Sequence, residues 1–341
     1  MHRRSVLAAL AASGALTTLA ACGSDDDSAT SGSASSQSST PAAEGFPVTI
    51  EHKLGSTTIE SAPAKVVTVG YNEEDFVLAL GVTPVGARTP LGSYDATRRP
   101  WAVDLLPAGG ITSVGQSELN FETIASLEPN LIIGAYAYLT EADYQTLTAI
   151  APTIGDVIPE GEGADSTAAA SWQEELTVIG RALGKEAEAS SLVDDVEADF
   201  QDAADAHPEF AGKTISVVLF NESYYPLDSS DPRGNFFLQF GFEENTTVDP
   251  AGLSAEQVPL LDTDVLVVLG RSAEEFAANP VAANLAVVTE GRTIYVPTFD
   301  TDFAGALGNS SPLSLPYAVE QAVPQLAAAA DGDPATAPAT L

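Results

Sequence analysis

Short β-branched runs alternate along this chain with stretches whose apolar residues fall at helical spacing. The first run, 64–70, reads Ala-Lys-Val-Val-Thr-Val-Gly, a strand pattern ended by glycine. The stretch behind it carries Phe76, Val77 and Leu80 on one helical face, with Glu73, Glu74 and Asp75 in its first turn and Gly81 as its stop. Residues 82–87 return to strand. Residues 121–127 then read as a short helix, 129–134 as a buried strand, 141–150 as a helix and 152–154 as extended chain. The same order resumes with a strand at 213–220, a helix at 235–240 and strands at 265–269 and 293–296. Strict alternation of this kind predicts parallel sheets covered by helices.

The two halves share more than element type. Residues 124–134 and 258–270 each read as a short helix, an acidic turn and an apolar strand ending in glycine, which points to two similar lobes. Between them, 168–207 places Trp172, Leu176, Ile179, Leu183, Leu192, Val193, Val196 and Phe200 near helical spacing, with interruptions around Gly180 and Gly184. Thr167 or Ser171 would cap this segment and Pro208 follows it. An unbroken helix of about 39 residues would reach roughly 55–60 Å and bridge the lobes along one side. The expected layout is an α/β lobe at 46–167, the bridging helix at 168–207, a second α/β lobe at 208–327, and a fraying tail at 328–341.

The N-terminus has a different character. His2-Arg3-Arg4 precedes an apolar run over 6–21, which is too short and interrupted to span a membrane comfortably and fits an export signal. The run ends in Leu-Ala-Ala-Cys at 19–22, which resembles a bacterial lipobox, and Cys22 is the chain's only cysteine. Residues 1–21 are therefore expected to be a signal peptide and Cys22 a diacylated N-terminus. Two acyl chains hold a protein stably on the outer face of the cytoplasmic membrane. Residues 3–7, Arg-Arg-Ser-Val-Leu, also resemble a twin-arginine signal, so the export route stays open. The segment 22–45 is mostly Ser, Ala, Thr, Gly and Asp and reads as a tether.

Composition excludes several functions. With Arg3 and Arg4 removed, 11 basic residues face 48 acidic ones, a surface that repels nucleic acid. Only His2, His52 and His207 occur, in segments that do not converge, which speaks against a histidine-built metal site. No Gly-x-Ser-x-Gly elbow, phosphate-binding loop or His-Glu-x-x-His motif appears, and no catalytic activity is expected.

Six segments in order resemble a known family: 62–71, 78–86, 127–134, 172–184, 231–234 and 310–318. The chain resembles the solute-binding lipoproteins of bacterial iron-siderophore ABC transporters, a group that also includes vitamin B12 and haem carriers. The resemblance implies two Rossmann-like lobes joined by one long helix. It also implies a ferric siderophore as ligand with no other cofactor or metal, an ABC permease with its ATPase as partner, and a monomer. Haem or corrinoid binding on the same scaffold, and a non-transport role in adhesion or signalling, remain alternatives.

Ligands of open α/β lobes sit beyond the carboxyl ends of the strands. There the sequence places Tyr71, Arg88, Tyr136 and Tyr138 in the first lobe, with Trp101 in the irregular loop 89–106. In the second lobe it places Tyr224, Tyr225 and Arg233, with Phe303 closing the loop after the last strand. Trp172, at the head of the bridging segment, completes the set. Tyrosine and tryptophan offer flat apolar faces with a polar tip, and arginine a fixed fork of donors, as the exterior of a ferric chelate requires. Tyr136, Tyr138 and Arg233 match the family best. The scarcity of basic residues favours a neutral or cationic hydroxamate complex over a polyanionic tris-catecholate. The family docks on its permease through one acid near each lobe tip, for which Glu141 and either Glu243 or Glu244 are candidates.

Overall fold

The computed structural model describes residues 45–90 and 92–341; the signal segment, Cys22 and the tether up to residue 44 lie outside them. A hairpin of β1 (Val48–His52) and β2 (Gly55–Ile59) comes first. The next strands are β3 (Val66–Thr68), β4 (Gly86–Ala87), β5 (Thr112–Ser113), β6 (Leu131–Ile133) and β7 (Thr153–Ile154). Helices α1 (Glu73–Ala79), α2 (Phe121–Ser126) and α3 (Glu141–Thr148) are interleaved with them. These strands form one parallel sheet in the order β5-β4-β3-β6-β7.

Two helices follow, α4 (Trp172–Leu183) and α5 (Glu186–Ala206). The second sheet contains β8 (Thr214–Asn221), β9 (Ser223–Pro226), β10 (Glu243–Glu244), β11 (Val265–Leu269) and β12 (Thr293–Val296). Around it lie α6 (Pro232–Leu238), α7 (Ala273–Ala277), α8 (Ala286–Thr289), α9 (Asp302–Asn309) and α10 (Ser314–Ala330). Its parallel order is β10-β8-β11-β12, with β9 folding back antiparallel on β8. Every residue of β3, β6 and β11 is buried, which explains why these strands read as unbroken apolar runs rather than alternating ones. The fold is thus α/β, two lobes with parallel sheets, as the sequence predicts.

The segment 168–207 departs from the expected single helix. Ser171 caps α4, and its hydroxyl and the Glu174 carboxylate form a reciprocal capping box. The helix ends at Gly184, which has φ 67° in the left-handed region. The Lys185 N–H then donates back to the Gly180 carbonyl at 2.7 Å. The chain re-enters helix and doubles back, so that Gln173 donates to Glu197 at 3.2 Å. A Cβ on Gly180 would stand 2.5 Å from the Ala189 methyl, so glycine here lets the two helices meet. Periodicity missed the reversal because both helices bury their apolar faces in the same core. The long helix between the sheets is therefore the 21-residue α5, about 30 Å in length. Its Phe200 packs on Phe236 and Phe240 at ring distances of 5.5 and 5.2 Å.

The tail differs too. Instead of fraying, the Ala339 N–H donates to Gln325 at 2.7 Å and the Leu341 N–H to the Tyr295 carbonyl at 3.0 Å. Its alanines and prolines carry little apolar surface, and these backbone bonds, invisible in composition, hold it on α10 and β12.

Candidate ligand cleft

A cleft of about 630 Å³ opens where the carboxyl ends of both sheets face each other, a size typical of small-molecule sites. Turns after β3 and β6 deliver Tyr71, Asn72, Tyr136 and Tyr138 to one wall. The first turn of α4 brings Trp172 and Glu175. The opposite wall comes from Phe220 and Asn221 at the end of β8, Asp231 and Arg233 at the start of α6, Phe299 after β12, and α9. Tyr94 reaches across from the loop after β4. Its hydroxyl donates to Asp302 at 3.1 Å, and its ring lies where a side chain on Gly305 would stand.

Comparison with known proteins fits this architecture. A model of the periplasmic binding protein family matches residues 66–298. The chain belongs to that family. Its members are binding proteins rather than enzymes. Among its relatives, the Fe(3+)-citrate-binding protein YfmC of Bacillus subtilis (strain 168) is 30% identical over 261 residues, 74% of this chain and 78% of the relative. The probable siderophore-binding lipoprotein YfiY of the same strain is 30% identical over 253 residues, covering 69% of this chain and 73% of YfiY. A periplasmic solute binding protein from Mycobacterium smegmatis str. MC2 155 superposes with a TM-score of 0.72 at 31% identity, over 83% of this chain and 98% of that one. PiaA of Streptococcus pneumoniae TIGR4, in complex with ferrichrome, gives 0.68 at 25% identity, over 84% and 99%.

In this periplasmic binding protein the cleft gathers Tyr71, Tyr136, Tyr138, Trp172 and Arg233 from the expected set and leaves the rest outside. Arg88 is buried and spends its guanidinium on the carbonyls of Gln116, Val69 and Ser117, at 2.7, 3.3 and 3.0 Å. It sits 4.3 Å from the Tyr71 ring and backs that residue rather than facing ligand. Trp101 donates to Asp75 at 2.7 Å and stacks on Tyr94. Tyr224 is wedged between Phe220 and Phe276, Tyr225 faces outward beside Gly252, and Phe303 is buried against Phe236. A position one or two residues along a strand or helix decides such orientations, and the chain's local pattern did not fix it. Tyr94, Phe220 and Phe299 were not singled out; aromatic character at strand ends and within loop 89–106 was the available signal.

The acids expected at the lobe tips do not share one end of the molecule. Glu141 is exposed at the start of α3, on the cleft side of the first sheet. Glu243 and Glu244 pair with Thr214 and Ile215, the first residues of β8, and so lie at the amino end of the second sheet. That register takes them away from the cleft face.

Electrostatics in the cleft are unusual. Arg233 is the only cation among its described lining residues. Its guanidinium is held by Asp231 through two bonds, Nε to Oδ1 at 2.9 Å and Nη2 to Oδ2 at 2.7 Å. Burial acts to raise the Asp231 pKa, and Arg233 more than offsets it, keeping this carboxyl below its ordinary value. Behind the wall that carries Tyr71, Tyr136 and Trp172 lie Glu73 and Glu175, both buried. Glu73 accepts from the Tyr136 N–H at 2.7 Å, and Glu175 accepts from Asn72 Nδ2 at 3.1 Å. Burial pushes Glu73 up to about 7 and Glu175 well above the carboxylate range.

A group whose pKa rises on folding stabilises the fold below its unfolded value, near 4.5, and loses that contribution as pH rises through its folded value. Stability of the wild type relative to Glu73→Gln is therefore expected to decline most steeply between about pH 5 and 7 and to level off above the folded value. Urea midpoints of the two proteins across that range provide the check; parallel curves would contradict it.

Proposed function

We propose that this protein is an extracytoplasmic solute-binding lipoprotein of an ABC importer, taking a ferric siderophore into the cleft and passing it to the membrane permease. The observation that carries the reading is the cleft wall itself: five rings from tyrosine and tryptophan, two phenylalanines, and a single arginine already neutralised by Asp231. A ferric chelate brings its own iron ligands, so it needs apolar faces and a few hydrogen-bonding groups rather than metal-binding side chains. Among the described residues no cluster of His, Cys, Asp and Glu is arranged to hold a metal ion. The absence of a free cation in the wall favours a neutral or cationic hydroxamate complex over a polyanionic tris-catecholate. The names of the relatives, which include an Fe(3+)-citrate binder and a ferrichrome complex, support iron chelates as the class and leave the chelator open.

Attachment follows from Cys22, whose lipid would keep the binder at high local concentration beside its permease. Among the described residues no helix is long and apolar enough to cross a membrane. Glu141 is the docking acid this reading retains on the cleft side.

Titration of tryptophan fluorescence with a ferric trihydroxamate and a ferric tris-catecholate tests the proposal, since Trp172 lines the cleft. Saturable quenching with the trihydroxamate bound more tightly is expected. A clear preference for the tris-catecholate, or binding of haemin or cobalamin instead, would overturn it. The Cys22→Ser protein is expected in the medium with its affinity intact; retention in the membrane would remove the lipid assignment.

A further inference from the structure

The buried carboxyls under the cleft have no cationic partner, unlike Asp75, the other buried acid among the described residues. Arg99 neutralises Glu74 and Asp75, and Arg233 neutralises Asp231. None of the ion pairs among the described residues includes Glu73 or Glu175. Glu175 is only 3% exposed and still lines the cleft. One of its oxygens, Oε2, accepts from Asn72, while no hydrogen bond among the described residues involves Oε1, and the residue itself lines the open space. Trp172 lies one turn earlier on α4 and so on the same helical face. Tyr71 and Tyr136 line the same wall.

A carboxyl with a free oxygen, set among aromatic faces and short of positive charge, is the arrangement that recognises an ammonium group. We infer that Glu175 is a specificity subsite for a positively charged amine carried on the chelate, with Trp172, Tyr71 and Tyr136 forming its aromatic surround. This assignment rests on the chelate-binding reading above and adds the charge of the ligand's pendant group.

The groups facing Glu175 are consistent in sign. Burial raises its pKa most; Glu73 from α1, Asp156 from the turn after β7 and Glu174 from its own helix raise it further, with Asn72 alone opposing them. Tyr136 is its neighbour from the turn after β6, and the Asp231–Arg233 pair lies across the cleft as a closed unit. An ammonium pairs with the ionised carboxylate, so over the pH range in which Glu175 ionises, affinity for an amine-bearing chelate increases with pH, by at most about tenfold per unit. A neutral chelate has no such dependence at this site.

The test compares two probes with one iron centre: the ferric complex of a linear trihydroxamate ending in a primary amine, and the same complex with that amine acetylated. With the wild-type protein at pH 7.5, fluorescence titration is expected to show the amine form bound at least about tenfold more tightly, and the ratio to shrink at pH 6. Glu175→Gln is expected to bring the two affinities within about twofold of each other. Equal affinities in the wild type, or an unchanged ratio in the variant, would overturn the subsite while leaving chelate binding in place. Failure of both probes to bind would overturn the chelate reading and the subsite with it. Should the variant not fold, the wild-type ratio and its pH slope decide alone.

Discussion

Replacing Arg99 with methionine is expected to lower the unfolding free energy by about 3–5 kcal/mol, the range for breaking a buried ion pair by removing one partner. The Arg99 side chain is 4% exposed. It meets Glu74 at 2.6 Å and Asp75 at 2.8 Å, and donates to the Ala96 carbonyl at 2.7 Å. The Asp75 contact is close in distance without the alignment of a hydrogen bond, so the attraction there is chiefly of charge. The other Asp75 oxygen accepts from Trp101, Asn309 and Ser311 at 2.7, 2.8 and 3.1 Å. One carboxylate thus joins α1, the loop after β4, the last residue of α9 and the segment that follows it, which belong to different lobes. Methionine keeps most of the apolar stem and removes the charge. Asp75, buried, and Glu74, half-buried, are then left without their cation, with Glu73 next to them in sequence. Acid pH should narrow the deficit, because protonation removes the stranded charges. Arg98 is the control: it also pairs with an aspartate, Asp95, but is 70% exposed, and Arg98→Met should leave the urea midpoint unchanged. Equal midpoints for the two variants would mean that the buried junction contributes nothing.

This junction also shows where the chain's own pattern stops being informative. The alternation of strands and helices was legible because each element reports its period locally: the Val-Val-Thr of β3 and the Val-Leu-Val-Val-Leu of β11 need no distant partner to be read. Tyr71, Tyr136 and Tyr138 were legible for the same reason, since they follow strands whose ends define the cleft. Trp101 was not. Its indole points to Asp75, a residue 26 positions away, and its ring is shared between Tyr94 and Tyr317. Arg88 likewise looked like a ligand donor because nothing nearby in sequence announces the carbonyls of Gln116 and Ser117 that consume it. The fold of α4 onto α5 depended on one left-handed glycine and on a close approach between Gly180 and Ala189, neither of which alters hydrophobic spacing. Local periodicity encodes elements; orientation within the site is set by contacts of long sequence separation.

Tyr138→Ala is expected to weaken binding of a ferric trihydroxamate by about 30-fold, roughly 2 kcal/mol, without lowering stability. Tyr138 is 61% exposed at the cleft and has φ 51°, a left-handed conformation unfavourable for a side chain of this size. Its ring packs on Tyr136, at 5.1 Å. The backbone is held in this conformation by Asp156. That carboxylate accepts three successive N–H groups, from Ala137 at 3.0 Å, Tyr138 at 2.7 Å and Leu139 at 3.1 Å. Asp156 thus holds a strained, exposed aromatic that gains little packing in the unliganded fold, which is the ground for expecting its contact in the ligand. Tyr138→Gly separates the two effects. Glycine tolerates the left-handed backbone, so this variant should be at least as stable as the wild type, and it should lose affinity to the same extent as the alanine variant. Denaturation midpoints and fluorescence titrations on the three proteins read both quantities. Affinity within twofold of wild type in both variants would show that the ring is not part of the binding surface. A matched loss of stability and affinity would assign Tyr138 to packing instead.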